Sequence, residues 1–288
     1  MAGFAAWAGC ASPPALSHGA IDGAAGDVSA DAAATDGGAR ADGTVTKEDA
    51  SATSDDGGED ASDGAPPDGV AFDLGAEFSF ARNPNGVWRY GYTPGSTLAP
   101  GLFAPDTVVP DSGSDPIAFW HPSGPGTSSS DVGYYPYVAE NRGSGSASEE
   151  DSWALYPQEV AMEGSGSGQY SLVQFIAPRA GSYEVHARFE GIHFRLSSTD
   201  VHVLAGDASL FAANIDGYGG DPAFHAVQGS QPTANYDEAV PLQAGDVVTF
   251  AIGYGNDMTN TNDTTGLTVH IVLTGVLTGV LTGVLTGN

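Results

Sequence analysis

The nine residues Gly181-Ser182-Tyr183-Glu184-Val185-His186-Ala187-Arg188-Phe189 decide the fold class. In an extended chain, side chains alternate between two faces, so Tyr183, Val185, Ala187 and Phe189 share one face and Glu184, His186 and Arg188 the other. The same period-two pattern returns at Val201-His202-Val203-Leu204, at Val247–Ile252 and at Leu267–Leu273. Between these runs stand turn-forming clusters: Ala205-Gly206-Asp207, Ala244-Gly245-Asp246 and Thr264-Thr265-Gly266. No helical period of comparable length competes with them. Short strands at this spacing predict an all-β chain, an antiparallel two-sheet β-sandwich over residues 72–275.

Outward from that body the composition changes. From Ile21 to Asp68 there are two bases against 13 acids, a net charge of −11, and almost no large apolar side chain. Such a segment buries too little apolar surface to offset the entropy of ordering it, so residues 21–71 read as a disordered acidic linker. The body keeps 23 acids against six arginines, a net of −17 within the chain's −28. That charge repels phosphate backbones and anionic lipid, which excludes nucleic acid as a partner and leaves contact with a membrane to a lipid anchor alone. Neutral polymers, sugars, cations and other proteins remain as ligands. The single cysteine, Cys10, makes no internal disulfide, and no run of about 18 apolar residues is present to span a bilayer as a helix.

The two ends carry their own expectations. Residues 1–20 form a leader in which Ala8-Gly9-Cys10 is similar to the lipobox of bacterial lipoproteins, and that resemblance implies lipidation of Cys10 and an exported, surface-tethered protein. The leader has no Lys or Arg, and its apolar run is shorter than that of a secretory signal. Residues 276–288 continue a Val-Leu-Thr-Gly tetrapeptide begun at Val272. Uncharged and rich in β-branched side chains, this tail is an edge-seeking segment suited to pairing with another protein.

Four groups of residues bear on function. In Asn83-Pro84-Asn85-Gly86-Val87-Trp88-Arg89-Tyr90-Gly91-Tyr92 the rings of Trp88, Tyr90 and Tyr92 share a face, which either packs the core or presents a stacking surface to sugar rings. Between Pro110 and Arg142 lies a long Gly-, Ser- and Pro-rich segment that still holds Trp120, Tyr134, Tyr135 and Tyr137, the ring set expected to contact a ligand. Asp257, Asn260, Asn262 and Asp263 place several side-chain oxygens in one loop. Calcium takes about six to eight such oxygens, which makes it the cofactor this loop suits, although Asx residues also cap turns unaided. His186, His202 and His270 sit mid-strand opposite the core, where three imidazoles gathered across strands would suit zinc. No nucleophile elbow, P-loop or H-E-x-x-H motif is present, so the expectation is a protein that is not an enzyme.

The order of motifs adds a resemblance. Asn83-Pro84-Asn85-Gly86-Val87-Trp88-Arg89-Tyr90-Gly91, then Ala177-Pro178-Arg179-Ala180-Gly181-Ser182-Tyr183, Thr199-Asp200-Val201-His202-Val203-Leu204, Ala244-Gly245-Asp246-Val247-Val248-Thr249-Phe250 and Asp263-Thr264-Thr265-Gly266-Leu267 follow one another. This resembles a β-sandwich module of exported bacterial proteins, some of which carry the PEP-CTERM sorting signal. Gln174 and Phe175 replace the Arg-Trp pair of that module, and its His-Pro-Gly is absent around Met162-Glu163-Gly164. The resemblance implies a jelly-roll-like sandwich of the kind used to bind carbohydrate or another extracellular polymer. The rival expectations are an assembly protein pairing through a β-edge and a glycan-active hydrolase.

Overall fold

A computed structural model describes residues 69–99, 101, 103–107, 116–122, 135–149 and 152–276. The leader with Cys10, the acidic linker up to residue 68, Tyr134 and the tail beyond Val276 lie outside the described residues.

The chain is an all-β sandwich. One sheet is built around β10 (Gly181–Gly191) and β15 (Thr265–Val276), the longest strands, which pair antiparallel along their whole length. The free side of β10 takes β13 (Thr233–Leu242). The other side of β15 takes two short strands at different heights, β1 (Ala71–Asp73) opposite His270–Val272 and β8 (Val160–Glu163) opposite Thr265–Leu267. From β8 the sheet continues through β5 (Tyr137–Asn141) to β4 (Ile117–Trp120). The second sheet runs in the order β12 (Ala208–Asp216), β11 (Ser198–Ala205), β14 (Val247–Ile252), β9 (Ser171–Ile176), β2 (Trp88–Tyr92) and β3 (Ala104–Pro105).

The alternation that fixed the fold class is visible in the burial. Along β10, Tyr183, Val185, Ala187 and Phe189 are buried while Glu184, His186 and Arg188 are exposed. Leu267, Val269, Ile271 and Leu273 of β15 meet them on the inner side, with Val201, Val203, Phe250 and Ile252 facing from the second sheet. Each such side chain, fully removed from water, contributes about 1.5–3 kcal/mol. Trp88 and Tyr90 lie in this same interior, both 0 % exposed, and Trp88 packs its ring against Phe175 at 5.4 Å between centroids. Of the two readings of the aromatic strand, core packing is therefore the correct one. Trp88 is no ligand platform, because no face of its ring meets solvent.

A third layer covers part of the first sheet. Strands β4, β5 and β8 are buried at every position, which a sheet with one wet side would not allow. Their outer side is covered by a hairpin of β6 (Ala147–Glu149) and β7 (Trp153–Leu155). The hairpin is tied to the segment after β10 by Phe194 N–H donating to Ser152 O at 2.8 Å and by a bridge between Trp153 and His193. A second apolar cluster forms beneath it from Ile117, Phe119, Tyr137, Ala139, Trp153, Leu155, Ala161 and Ile192.

Candidate functional site

Where this second cluster runs out, beside the loop joining β14 to β15, a cavity of about 340 Å³ opens. Small-molecule sites span roughly 300–1,000 Å³, so it has room for a sugar unit rather than a long chain. One wall is aromatic. Tyr137 and Trp153 lie nearly parallel, 20° apart with centroids at 6.4 Å, and Phe119 meets both edge-on at 5.3 and 6.1 Å. Tyr135, half-buried, leans on Tyr137 at 5.5 Å and 45°. Phe119, Tyr137 and Trp153 are each no more than 6 % exposed, so they offer edges to the cavity rather than an open platform.

The floor is polar. Register sets Tyr137 directly opposite Glu163 across β5 and β8. The Tyr137 hydroxyl donates to Glu163 Oε2 at 2.9 Å, and the Thr264 hydroxyl donates to the same oxygen at 2.6 Å. Oε1 is approached by Asn260 Nδ2 at 3.5 Å, the outer limit of a hydrogen bond, and is the freer of the two acceptors. Burial is the main reason that Glu163 is held up to about 8, with the nearby Asp263 adding to it and the two hydroxyls opposing it. At neutral pH the group is therefore a carboxylic acid able both to donate and to accept. Across the cavity, His193 accepts the Arg195 N–H at Nδ1, and burial, then the Arg195 charge, lowers it to about 4, so the imidazole is neutral. Glu149, Ser152, Thr261 and Asn262 complete the lining, which among the described residues contains neither Lys nor Arg.

The expected site residues divide by the face on which they fall. Tyr135 and Tyr137 line the cavity, as do Asn260 and Asn262. Trp120 does not: one residue after Phe119, it points to the opposite side of β4, into the main core, and its indole N–H donates to Ser79 O at 2.7 Å. Its remaining edge, 7 % exposed, borders a separate shallow groove with Arg82, Asn83 and Asp106. The assignment of Trp120 to the ligand is thus corrected by strand parity.

The calcium set is split in a similar way. Asp263 turns inward, fully buried, and accepts Ser198 N–H at 3.0 Å, while its other oxygen has no partner among the described residues. Burial, followed by the charges of Asp257 and Asp200, raises Asp263 to about 7. Asp257 is exposed and caps its own turn by accepting Thr259 N–H. The four oxygen-bearing residues thus face three directions, and among the described residues no three His, Cys, Asp or Glu side chains are grouped as a metal site. Phe119, Trp153, Glu163 and His193 had no distinguishing motif. Only their placement by register and by the hairpin brings them to one cavity.

No family model matches the sequence, and no curated protein matches it either. The chain is similar to several solved structures. These include the K1 cleaved adhesin domain of Lys-gingipain from Porphyromonas gingivalis W83, at 13 % identity, 72 % of this chain, 99 % of that one and a TM-score of 0.27. A CBM4 structure matches at 13 % identity, 62 and 99 % coverage and a TM-score of 0.26. A family 35 carbohydrate-binding module from an environmental isolate matches at 12 % identity, 59 and 95 % coverage and a TM-score of 0.25. Scores this low decide nothing about ligand or activity, and the chemistry of the cavity has to carry that question.

Proposed function

We propose that the protein binds a neutral carbohydrate, a sugar unit of an extracellular polymer, in the cavity bounded by β5, β8, the β6–β7 hairpin and the β14–β15 loop, and that it does so without catalysing a reaction. One observation carries the reading: an aromatic wall stands over an uncharged acid, Glu163, that is held by Tyr137 and Thr264 and flanked by Asn260. Sugars need this pairing, because their C–H groups pack against apolar ring surface, here ring edges and the half-buried Tyr135, while their hydroxyls demand donors and acceptors in fixed positions. The absence of Lys and Arg from the lining, together with the surplus of acid, disfavours uronic acids and sulfated sugars.

The setting is the outside of a cell, with Cys10 as the lipid attachment point and residues 21–68 as the spacer, since Ala71 already pairs with Val272 in the first sheet. Detergent-phase partitioning that disappears in Cys10→Ser is the expected result for that arrangement, and equal partitioning of both proteins would remove it. Binding itself is tested with a panel of neutral, amino and acidic polysaccharides, comparing wild type with Tyr135→Ala and Asn260→Ala. Retention on a neutral polymer that falls at least about tenfold in both variants supports the proposal, and no retention on any polymer rejects it. A carboxylic acid in a cavity could also serve as a general acid. New reducing ends released by wild type and not by Glu163→Gln would replace the binding reading with a hydrolytic one.

A further inference from the structure

On the outer face of the first sheet, away from the cavity, the strand register builds a row of four side chains across four adjacent strands. Asp73 on β1 is opposite His270 on β15, His270 is opposite His186 on β10, and His186 is opposite Asp237 on β13. The order is carboxylate, imidazole, imidazole, carboxylate. Directly opposed residues of antiparallel strands hold their Cβ atoms about 4.5–5.5 Å apart, so the two imidazoles are immediate neighbours. Both histidines are 47 % exposed in their side chains. His202 is not part of the row: it lies on the second sheet, paired with Asp200 at 2.8 Å.

Each ring in the row is turned the same way with respect to its flanking acid. His186 Nδ1 lies 2.9 Å from Asp237 Oδ1, within hydrogen-bond range, and His270 Nδ1 lies 3.6 Å from Asp73 Oδ2, within ion-pair range. Asp73 is itself fixed, because its Oδ1 accepts Ala76 N–H at 2.9 Å. A carboxylate at Nδ1 favours the tautomer with the proton on that nitrogen and leaves the Nε2 lone pair outward. Metal-binding histidines are oriented by their second shell in this way. Of the other charges nearby along β10, Arg188 is drawn aside to Glu190 at 2.6 Å, and Glu184 adds negative potential.

We propose that His186 and His270 form a surface site for a divalent transition-metal ion, bound through both Nε2 atoms, with Asp237 and Asp73 as orienting carboxylates. Two imidazoles select the ions that favour nitrogen, of which Zn²⁺ is the probe here, over Ca²⁺ and Mg²⁺. The remaining coordination positions belong to water. A row so symmetrical about its two rings is not required by the fold, since exposed positions of β10 and β15 accept other polar residues, as Thr268 and Glu184 show.

The test is a calorimetric titration of Zn²⁺ into the full chain at 0.3 M NaCl, which screens non-specific attraction to the acidic protein. A Cys10→Ser background keeps the thiol from competing. The expected result is one Zn²⁺ per chain at this site, with affinity falling at least about tenfold in His186→Ala and in His270→Ala, about tenfold in Asp237→Asn, and not at all in His202→Ala. Ca²⁺ produces no competing signal. Independently of any variant, Zn²⁺ shifts the imidazole nitrogen resonances of His186 and His270 and leaves those of His202 in place. Wild-type affinity in His270→Ala, or imidazole shifts confined to other histidines, overturns the proposal.

Discussion

Phe119 and Trp120 are consecutive residues with opposite fates, one walling a cavity and the other filling the core, and the difference is one step of a strand. The ring-rich segment stood out in the sequence as a candidate region, but which of its rings would line a cavity did not. That choice depends on which face of β4 is covered by a hairpin far along the chain. Arg89, one step from Trp88, faces the other side of β2. There its Nε donates to Gln174 Oε1 at 2.6 Å, and its guanidinium lies 4.5 Å from the centre of the Phe103 ring. Trp88→Ala should lower the unfolding free energy by about 3–5 kcal/mol in urea titration, the usual cost of emptying a core aromatic site. At Glu163 the expected change is in pH response. Because burial holds the group up to about 8, ligand affinity should weaken as pH rises through that value in wild type and stay level in Glu163→Gln. Parallel profiles for the two proteins would remove Glu163 from the ligand's contacts.

Four strands announced themselves through period two, β10, β11, β14 and β15, whereas β12 and β13, nine and ten residues long, were not among the runs read from the sequence. The β6–β7 hairpin was not among them either. Its strands are three residues each, too short to display a period, and Trp153-Ala154-Leu155 reads equally as loop. Turn chemistry was more transparent: Gly206 and Gly245 adopt positive φ at the turns expected of them. Gly255, in the β14–β15 loop that delivers Asn260 and Asn262, has φ +66°, and a Cβ there would fall inside the Ser198 carbonyl. Gly255→Ala should therefore cost at least about 1–2 kcal/mol from the left-handed conformation alone, with more from the clash. It should also weaken ligand binding by displacing the loop. A variant that is as stable as wild type and binds ligand as tightly would show that the loop does not hold this backbone.

For the whole molecule, acidity is the organising property. Asp106 and Glu159 are raised well above the usual carboxylate range, mainly by burial, Glu140 is raised to about 7, and Asp263 and Glu163 to about 7 and 8. A carboxyl whose folded value exceeds its unfolded one binds more protons in the native state. Its stabilising contribution is complete below the unfolded value near 4 and is lost as pH climbs through the folded value. His193, held down to about 4, acts in the opposite sense below about pH 6.5, since folding is penalised as the unfolded imidazole takes up its proton. The melting temperature should therefore peak at mildly acidic pH and fall by about 5 °C or more between pH 6 and 9, measured by scanning calorimetry. A melting temperature flat or rising over that interval would contradict the buried acids.

The sandwich was readable because period two survives in any local window, whereas the cavity needed residues from Phe119 to Thr264 brought together by pairing between distant strands. A chemical-shift perturbation map with a saturating neutral oligosaccharide tests whether the cavity is the binding site. Shifts concentrated at Tyr135, Tyr137, Trp153, Glu163, Asn260 and Thr264 are the expected result. Shifts clustered on another face of the sandwich, or none at all, would contradict it.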